Sequence, residues 1–266
     1  MYAAVIIPAA GGSRRYAAAG GVRSKLDEDL GGRPVLQRTV ELFTKRDEVR
    51  EIVVVGPHDE AELAEFRDRH GDKLGLLGAT LVRGGERFRW ESVRAGLDAL
   101  SDEAEVVAVH DGARPCTPIE VLDRVFEASA SHGAVIPVVA APDTIKRVDD
   151  EPASESEADP LDAILGSAGK SAAPRAVRET VPRDGLHLVQ TPQVFAAGLL
   201  RRAFAEGSPD GSVTDEAVLV ERLGEPVVAV EGDPRNMKLT TPADLVLIRA
   251  IAGAQAPSDR PAHKRF

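Results

Sequence analysis

The chain contains one cysteine, Cys116, in 266 residues. A single thiol cannot close an intramolecular disulfide, and it excludes every zinc site built from several cysteines. Long apolar runs are missing as well, and none approaches the ~20 residues that a membrane-spanning helix needs. Positive charge is in deficit: Lys and Arg number 33 against 43 Asp and Glu, a net charge of −10. That balance excludes nucleic-acid binding through a global positive field. A small anionic ligand remains open, provided a few cations gather at one place. What is present is the composition of an ordinary soluble globular protein, 43% hydrophobic and 29% charged. The length suits one large α/β domain or two small ones. A cytoplasmic protein is expected, because the apolar start Met1 to Gly12 lacks a basic leader and reads as a strand.

Short apolar runs rich in β-branched residues alternate with amphipathic stretches. Ala3–Pro8, Glu51–Gly56, Thr80–Val82, Val106–His110, Ala134–Val139 and Pro226–Val230 read as strands. Their unbroken apolar character predicts burial on both faces of a mainly parallel sheet. Helices are expected over Val35–Phe43, Asp59–His70, Trp90–Leu100, Ile119–Ser131, Ala196–Glu206, Thr214–Leu223 and Pro242–Ala252. Thr214 and Thr241 stand where capping hydroxyls belong, with acids or a first-turn Pro following. The alternation predicts a doubly wound fold with ligands at the carboxyl ends of the strands. Residues 149–174 interrupt the rhythm with Ser, Ala, Pro and acids and read as a mobile surface insertion. Residues 254–266 read as a flexible tail, which leaves 1–253 as a single domain.

Two loops carry the chemistry. The first strand runs into Pro8-Ala9-Ala10-Gly11-Gly12-Ser13-Arg14-Arg15, and Lys25 follows after an Ala/Gly stretch. Small residues let the backbone approach a ligand and form an anion-binding nest, while the cations supply charge for a polyphosphate. The pattern matches neither the P-loop nor the dinucleotide fingerprint, and a purely structural turn remains open on this loop alone. The fourth strand ends in Val109-His110-Asp111-Gly112-Ala113-Arg114. A carboxylate there is placed for a metal ion or a substrate hydroxyl, or simply to cap the next turn. His110 reads as a structural histidine and Trp90 as packing.

In order along the chain stand AAGGSRR with SK, GGERFRWESVRAGL, VHDGARP, APDTIKRV, QTPQVF, TDEAVLVE and GDPRNMKLTTPADL. Together they resemble the 2-C-methyl-D-erythritol 4-phosphate cytidylyltransferase family from Ala3 to about Ile251, apart from the insertion and tail. The resemblance implies a Rossmann-like nucleotide-diphospho-sugar transferase fold with a mainly parallel sheet. It also implies a protruding β-arm, about residues 142–192, used for dimerisation. The activity implied is transfer of CMP from CTP to the methylerythritol phosphate, with release of pyrophosphate, in non-mevalonate isoprenoid synthesis. Carried onto this chain, Arg15 and Lys25 are catalytic. Pro8, Ala9, Ala10, Gly11, Gly12, Ser13, Gly84, Gly85, Ser92 and Asp111 line the CTP site. Asp111, Arg114, Thr144, Arg183, Thr191, Thr214 and Lys238 surround the polyol phosphate. The cofactor implied is Mg2+ or another divalent cation, with Asp111 as its ligand directly or through water. The partners implied are CTP, a polyol phosphate and a second copy sharing active sites, with no nucleic acid and no membrane.

The chain departs from the family pattern between Arg15 and Lys25, where the spacing is longer, and Ser24-Lys25-Leu26 replaces the usual Pro-Lys-Gln. Two alternatives stay open on sequence. One is a related enzyme, a ribitol 5-phosphate or molybdopterin cytidylyltransferase; the other is a nucleotide-binding module without turnover.

Overall fold

The run Ala3–Pro8 has few polar atoms besides its backbone, and it forms a strand, β1, in which Ala3 to Ile7 are all fully buried. In the computed structural model, which describes residues 1–254 apart from 12, 151–173 and 208, β1 is flanked by two parallel neighbours. These are β2 (Val49–Gly56) and β4 (Val106–Val109). Beyond β2 lies β3 (Ala79–Arg83), again parallel. On the other side β9 (Gln193–Ala196) runs antiparallel between β4 and β5 (Ala134–Ala140), and β10 (Val228–Glu231) pairs in parallel with β5. The order is therefore β10-β5-β9-β4-β1-β2-β3. The antiparallel β9 has too short an apolar run to be read beforehand.

Alternate residues of β1 face opposite ways. Val5 and Ile7 join one core with Leu36, Phe43, Val125 and Ile248, and Ala4 and Ile6 join another with Val93, Leu97, Leu200 and Leu219. The helices that close these layers are α1 (Arg14–Ala18), α2 (Val35–Glu41), α3 (Glu60–Leu76), α4 (Arg89–Asp98), α5 (Ile119–Ser129), α6 (Ala197–Glu206), α7 (Ala217–Arg222) and α8 (Pro242–Ile251). α8 starts as its sequence predicts, with the Asp244 carboxylate accepting from the Thr241 backbone N–H at 2.7 Å. α7 does not. It begins at Ala217, and the carboxylate that accepts from its first turn is Asp215, from Val218 N at 3.3 Å, while Thr214 stays exposed outside the helix. An Asp one residue nearer the helix displaces the expected hydroxyl, since its charge also favours the positive helix end.

The chain divides into two compact units, Met1–Val139 with Val189–Phe266, and Ala140–Leu188. Within the second, β6 (Ile145–Val148) pairs antiparallel with β7 (Val177–Val181), Ile145 opposite Val181. Ala141 N donates to Leu186 O at 3.3 Å, just ahead of β8 (His187–Val189). Val148, Val177, Leu186 and Leu188 are exposed. Most of the predicted insertion and nearly all of the predicted tail fall outside the described residues.

Helix and sheet approach closely at Gly96 on α4, where an added Cβ would lie 2.6 Å from Ile6 Cγ2 and 3.0 Å from Val55 Cγ2. Both neighbours are β-branched and cannot swing aside. Gly96→Ala is expected to destabilise the protein by roughly 1–3 kcal/mol through overpacking. Urea unfolding measures it, and an unchanged midpoint would show that α4 shifts freely.

Candidate functional site

The carboxyl ends of β1 and β4 lie side by side because the two strands are neighbours, so the loops that follow them open onto one cleft of about 600 Å³. After β1 the chain stays tethered: Ala9 N donates to Val55 O at 2.7 Å and Ser13 N to Gly11 O at 2.9 Å. Ser13 then takes the left-handed conformation, φ 49°, as it enters α1. This short helix offers Arg14 and Arg15 to the cleft and buries Tyr16, whose hydroxyl donates to Glu28 Oε1 at 3.0 Å. Burial, reinforced by Glu28, pushes the Tyr16 phenol up to about 12, so it remains a donor. Gly21 packs on the Tyr16 ring so closely that a Cβ would collide with it. The long stretch between Arg15 and Lys25 is thus folded back on an aromatic anchor. Lys25 opens a single 3-10 turn, Lys25–Asp27, whose Ser24 Oγ accepts from Leu26 N at 3.4 Å.

The opposite wall comes from Gly84-Gly85 and the start of α4. Ser92 Oγ accepts from Gly85 N at 3.1 Å. A Cβ on Gly84 would strike the Gly56 carbonyl and lie 2.9 Å from Ser92 Oγ, and one on Gly85 would overlap Glu91. Only glycine fits at these two positions. Gly85 and Ser92 therefore present backbone and hydroxyl groups to the cleft with no side chain between.

Asp111 closes the floor, with only 8% of its surface exposed. Lys238 Nζ lies 2.9 Å from its Oδ2, Arg114 Nε 3.2 Å from the same oxygen, and Arg89 Nη2 3.4 Å from Oδ1. Burial alone would raise the Asp111 pKa, but Arg89, Lys238 and Arg114 outweigh it and hold the carboxyl well below the usual range. Lys25 is shifted down from an ordinary lysine by burial first, then by the charges of Lys238 and Arg15, with Asp111 opposing. Beneath the floor, Asp111 N donates to Thr191 Oγ1 at 3.1 Å, and that hydroxyl lies 3.2 Å from His110 Nδ1. His110 Nε2 lies 3.2 Å from Arg114 O, and the Asn236 amide donates to Thr191 O at 2.8 Å. Asn236 O in turn accepts from Arg114 Nη1 at 2.6 Å.

The cleft thus brings together Pro8, Ala9, Ala10, Gly11, Ser13, Arg15, Lys25, Gly85, Ser92, Asp111 and Lys238 of the expected residues. Gly84 stands directly behind Gly85. Arg114 and Thr191 support Asp111 from below, with Thr191 nearly buried. Thr214 is exposed ahead of α7, and Thr144 and Arg183 are exposed in the second unit, where Arg183 Nη1 donates to Pro142 O at 2.5 Å. Gly12 lies outside the described residues. Sequence reasoning overlooked Arg89 and Glu216: Arg89 Nη1 meets both Glu216 oxygens, at 2.6 and 2.8 Å, although 127 residues separate the two. Both stand inside quoted motifs, and nothing local distinguishes them from solvated charges. No group of three or more His, Cys, Asp or Glu side chains converges on a common point among the described residues.

The family model described as 2-C-methyl-D-erythritol 4-phosphate cytidylyltransferase matches residues 3–159 and 162–254. A protein of that name from Rhodococcus jostii is 42% identical over 92% of this chain and 93% of its own length. Another from Frankia casuarinae is 42% identical over 96% of this chain and 83% of its own. The chain spans only 58% of a 39% identical relative from Solidesulfovibrio magneticus named Bifunctional enzyme IspD/IspF. Among solved structures, the 2-C-methyl-D-erythritol 4-phosphate cytidylyltransferase of Thermus thermophilus superposes with a TM-score of 0.66 at 33% identity, covering 96% of this chain and all of that one.

The buried floor has a measurable signature. His110 is fully enclosed, and burial pulls its pKa from 6.5 to about 4, against the Arg114 carbonyl and the Asp111 charge. A folded-state pKa below the unfolded one stabilises the protein above pH 6.5, and that contribution is lost as pH falls toward 4. The stability advantage of the wild type over His110→Gln should therefore shrink by up to about 3 kcal/mol between pH 7 and 4. Urea unfolding across that range tests it, and a constant difference would show that folding leaves the His110 pKa at its unfolded value.

Proposed function

Because the chain belongs to the 2-C-methyl-D-erythritol 4-phosphate cytidylyltransferase family, we propose that its cleft holds CTP, with the triphosphate along the loop after β1 and the base against Gly85 and Ser92. The protein is a nucleotidyltransferase that transfers CMP from CTP to 2-C-methyl-D-erythritol 4-phosphate, releasing pyrophosphate, in isoprenoid precursor synthesis. The observation that carries the site assignment is the cation cluster: Lys25, Lys238 and Arg15 line one cleft in a protein of net charge −10.

A phosphate oxygen of the polyol phosphate attacks the α-phosphorus of CTP. The bond from that phosphorus to the bridging oxygen breaks, and the electron pair leaves with pyrophosphate. The nucleophile arrives ionised, so no protein group has to be deprotonated. The task left to the protein is to align two polyanions and neutralise charge at the α-phosphate. Lys25 and Arg15 do this on the loop side, and Lys238 receives the polyol phosphate, whose hydroxyls meet Asp111, with Arg114 bracing that carboxylate from below. Mg2+ binds through one or two carboxylates and substrate phosphates rather than a protein cage, and Asp111, the carboxylate on the cleft floor, has Lys238 and Arg114 on one oxygen and Arg89 on the other. The ion would therefore rest chiefly on the triphosphate, whose charge it would neutralise, with Asp111 reaching it through water. No helix among the described residues is long and apolar enough to cross a membrane.

Thr144 and Arg183, on this reading, serve the pocket of a second copy, forming a homodimer with shared sites. The exposed Val148, Val177, Leu186 and Leu188 of their unit support it, because such side chains gain by being covered.

Two experiments test these assignments. Lys25→Ala should lower kcat by roughly 10²–10³, the effect of removing one transition-state donor, with little change in CTP binding. Pyrophosphate release and calorimetry measure the two, and a wild-type rate would move catalysis to another cation, Arg23 first. For the shared site, equal mixing of Lys25→Ala and Arg183→Ala subunits should restore full activity at about a quarter of all sites. Activity fixed at the mean of the two variants, with subunit exchange demonstrated, would show that each pocket is built from one chain.

A further inference from the structure

Three cations share the single carboxylate of Asp111, yet they are not equally free to leave it. Arg114 is held by a second bond, from Nη1 to the Asn236 carbonyl at 2.6 Å. Arg89 is held more firmly still. Its Nη1 lies between both oxygens of Glu216, at 2.6 and 2.8 Å, and the Glu216 side chain is completely buried. Lys238 has no second partner for its ammonium among the described residues; Nζ meets Asp111 Oδ2 at 2.9 Å at the end of a flexible stem on the cleft wall.

We infer that Glu216 clamps Arg89 as the standing counter-ion of Asp111, and that this lets Lys238 leave the carboxylate for the phosphate of the incoming polyol. The inference rests on the reading of Lys238 as a phosphate contact. Its logic is electrostatic. Arg114 stays on Oδ2 when Lys238 leaves, but Arg89 alone of the three faces Oδ1. Both oxygens of this enclosed carboxylate therefore keep a partner only while Arg89 is in place, and an unpaired charge in that setting is costly. Arg89 suits the part, since a planar fork can bridge two carboxylates at once and a lysine cannot. It does not suit direct phosphate binding, because turning toward substrate would strand Glu216 without a counter-charge. Burial would weaken the Arg89 charge, but Glu216 and then Asp111 more than offset it, so the guanidinium stays charged. Arg89 and Glu216 are accordingly positioning residues. They act on substrate through Asp111 and Lys238.

The test removes the pair without changing the net charge. Arg89→Met with Glu216→Leu replaces a buried ion pair by apolar side chains, a change that is often neutral or stabilising. The double variant should unfold cooperatively near the wild-type Tm. With Arg89 gone, Lys238 is retained by Asp111, so the KM for 2-C-methyl-D-erythritol 4-phosphate should rise about tenfold, the effect of weakening one charged contact. The Kd for CTP and kcat should stay within about twofold. A folded double variant with the wild-type KM would overturn the inference, and so would a fall in kcat with KM unchanged. Should the double variant fail to fold, Arg89→Lys decides, because it keeps the charge and loses the fork. A raised polyol-phosphate KM in folded Arg89→Lys supports the clamp, and an unchanged KM refutes it. Failure of the wild type to use this polyol phosphate with CTP would strike the reading of the substrate, and is seen before any variant is made.

Discussion

A buried carboxylate keeps its charge only while cations surround it, and cations gather in an acidic protein only where a carboxylate holds them. Asp111 is where these two requirements meet. Arg89, Arg114 and Lys238 would repel one another in a dry pocket without it, and it would be protonated without them. Their mutual dependence gives the floor a surplus of positive charge, which is what two polyanions need in order to approach. Lys25 and Arg15 add to that surplus from the loop side, where burial first, and then the charges of Lys238 and Arg15, lower the Lys25 pKa. The sheet supports the arrangement because β1 and β4 are neighbours and end together.

Much of this was legible in the sequence, for identifiable reasons. The central strands declare themselves by apolar runs without alternation, and Ala3–Pro8 is found with the predicted limits. Pro242 and Asp244 announce the start of α8 because capping is local chemistry. β6 and β7 were not read, since their burial does not alternate and most of their side chains lie in solvent. α1 escaped because a five-residue helix in an Ala/Gly stretch leaves no periodicity to detect. Thr214 misled because Asp215 is the better cap. In the site, the loops could be read from composition, whereas the Arg89–Glu216 pair could not. A salt bridge between distant residues exists only once the fold has brought them together.

The spacing between Arg15 and Lys25 illustrates how a departure from a family pattern is absorbed. Lengthening a loop costs little in closure entropy. The real risk is loss of direction, and Tyr16 removes it by pinning the added residues: its ring meets Gly21 and its hydroxyl meets Glu28. One buried aromatic thus does for the loop what a shorter connection would do by constraint.

The polar layer under Asp111 has a consequence of another kind. Thr191, His110 and Asn236 fix the main chain of Asp111 and the guanidinium of Arg114 from within the core, with no help from the rim. Rim and foundation are therefore mechanically separate. Exchanges at the mouth of the cleft can alter what it accepts while Asp111 and Arg114 stay where they are. For a lineage of enzymes this is a route to new substrates by small steps, and for a designer it marks which half of the site to leave alone.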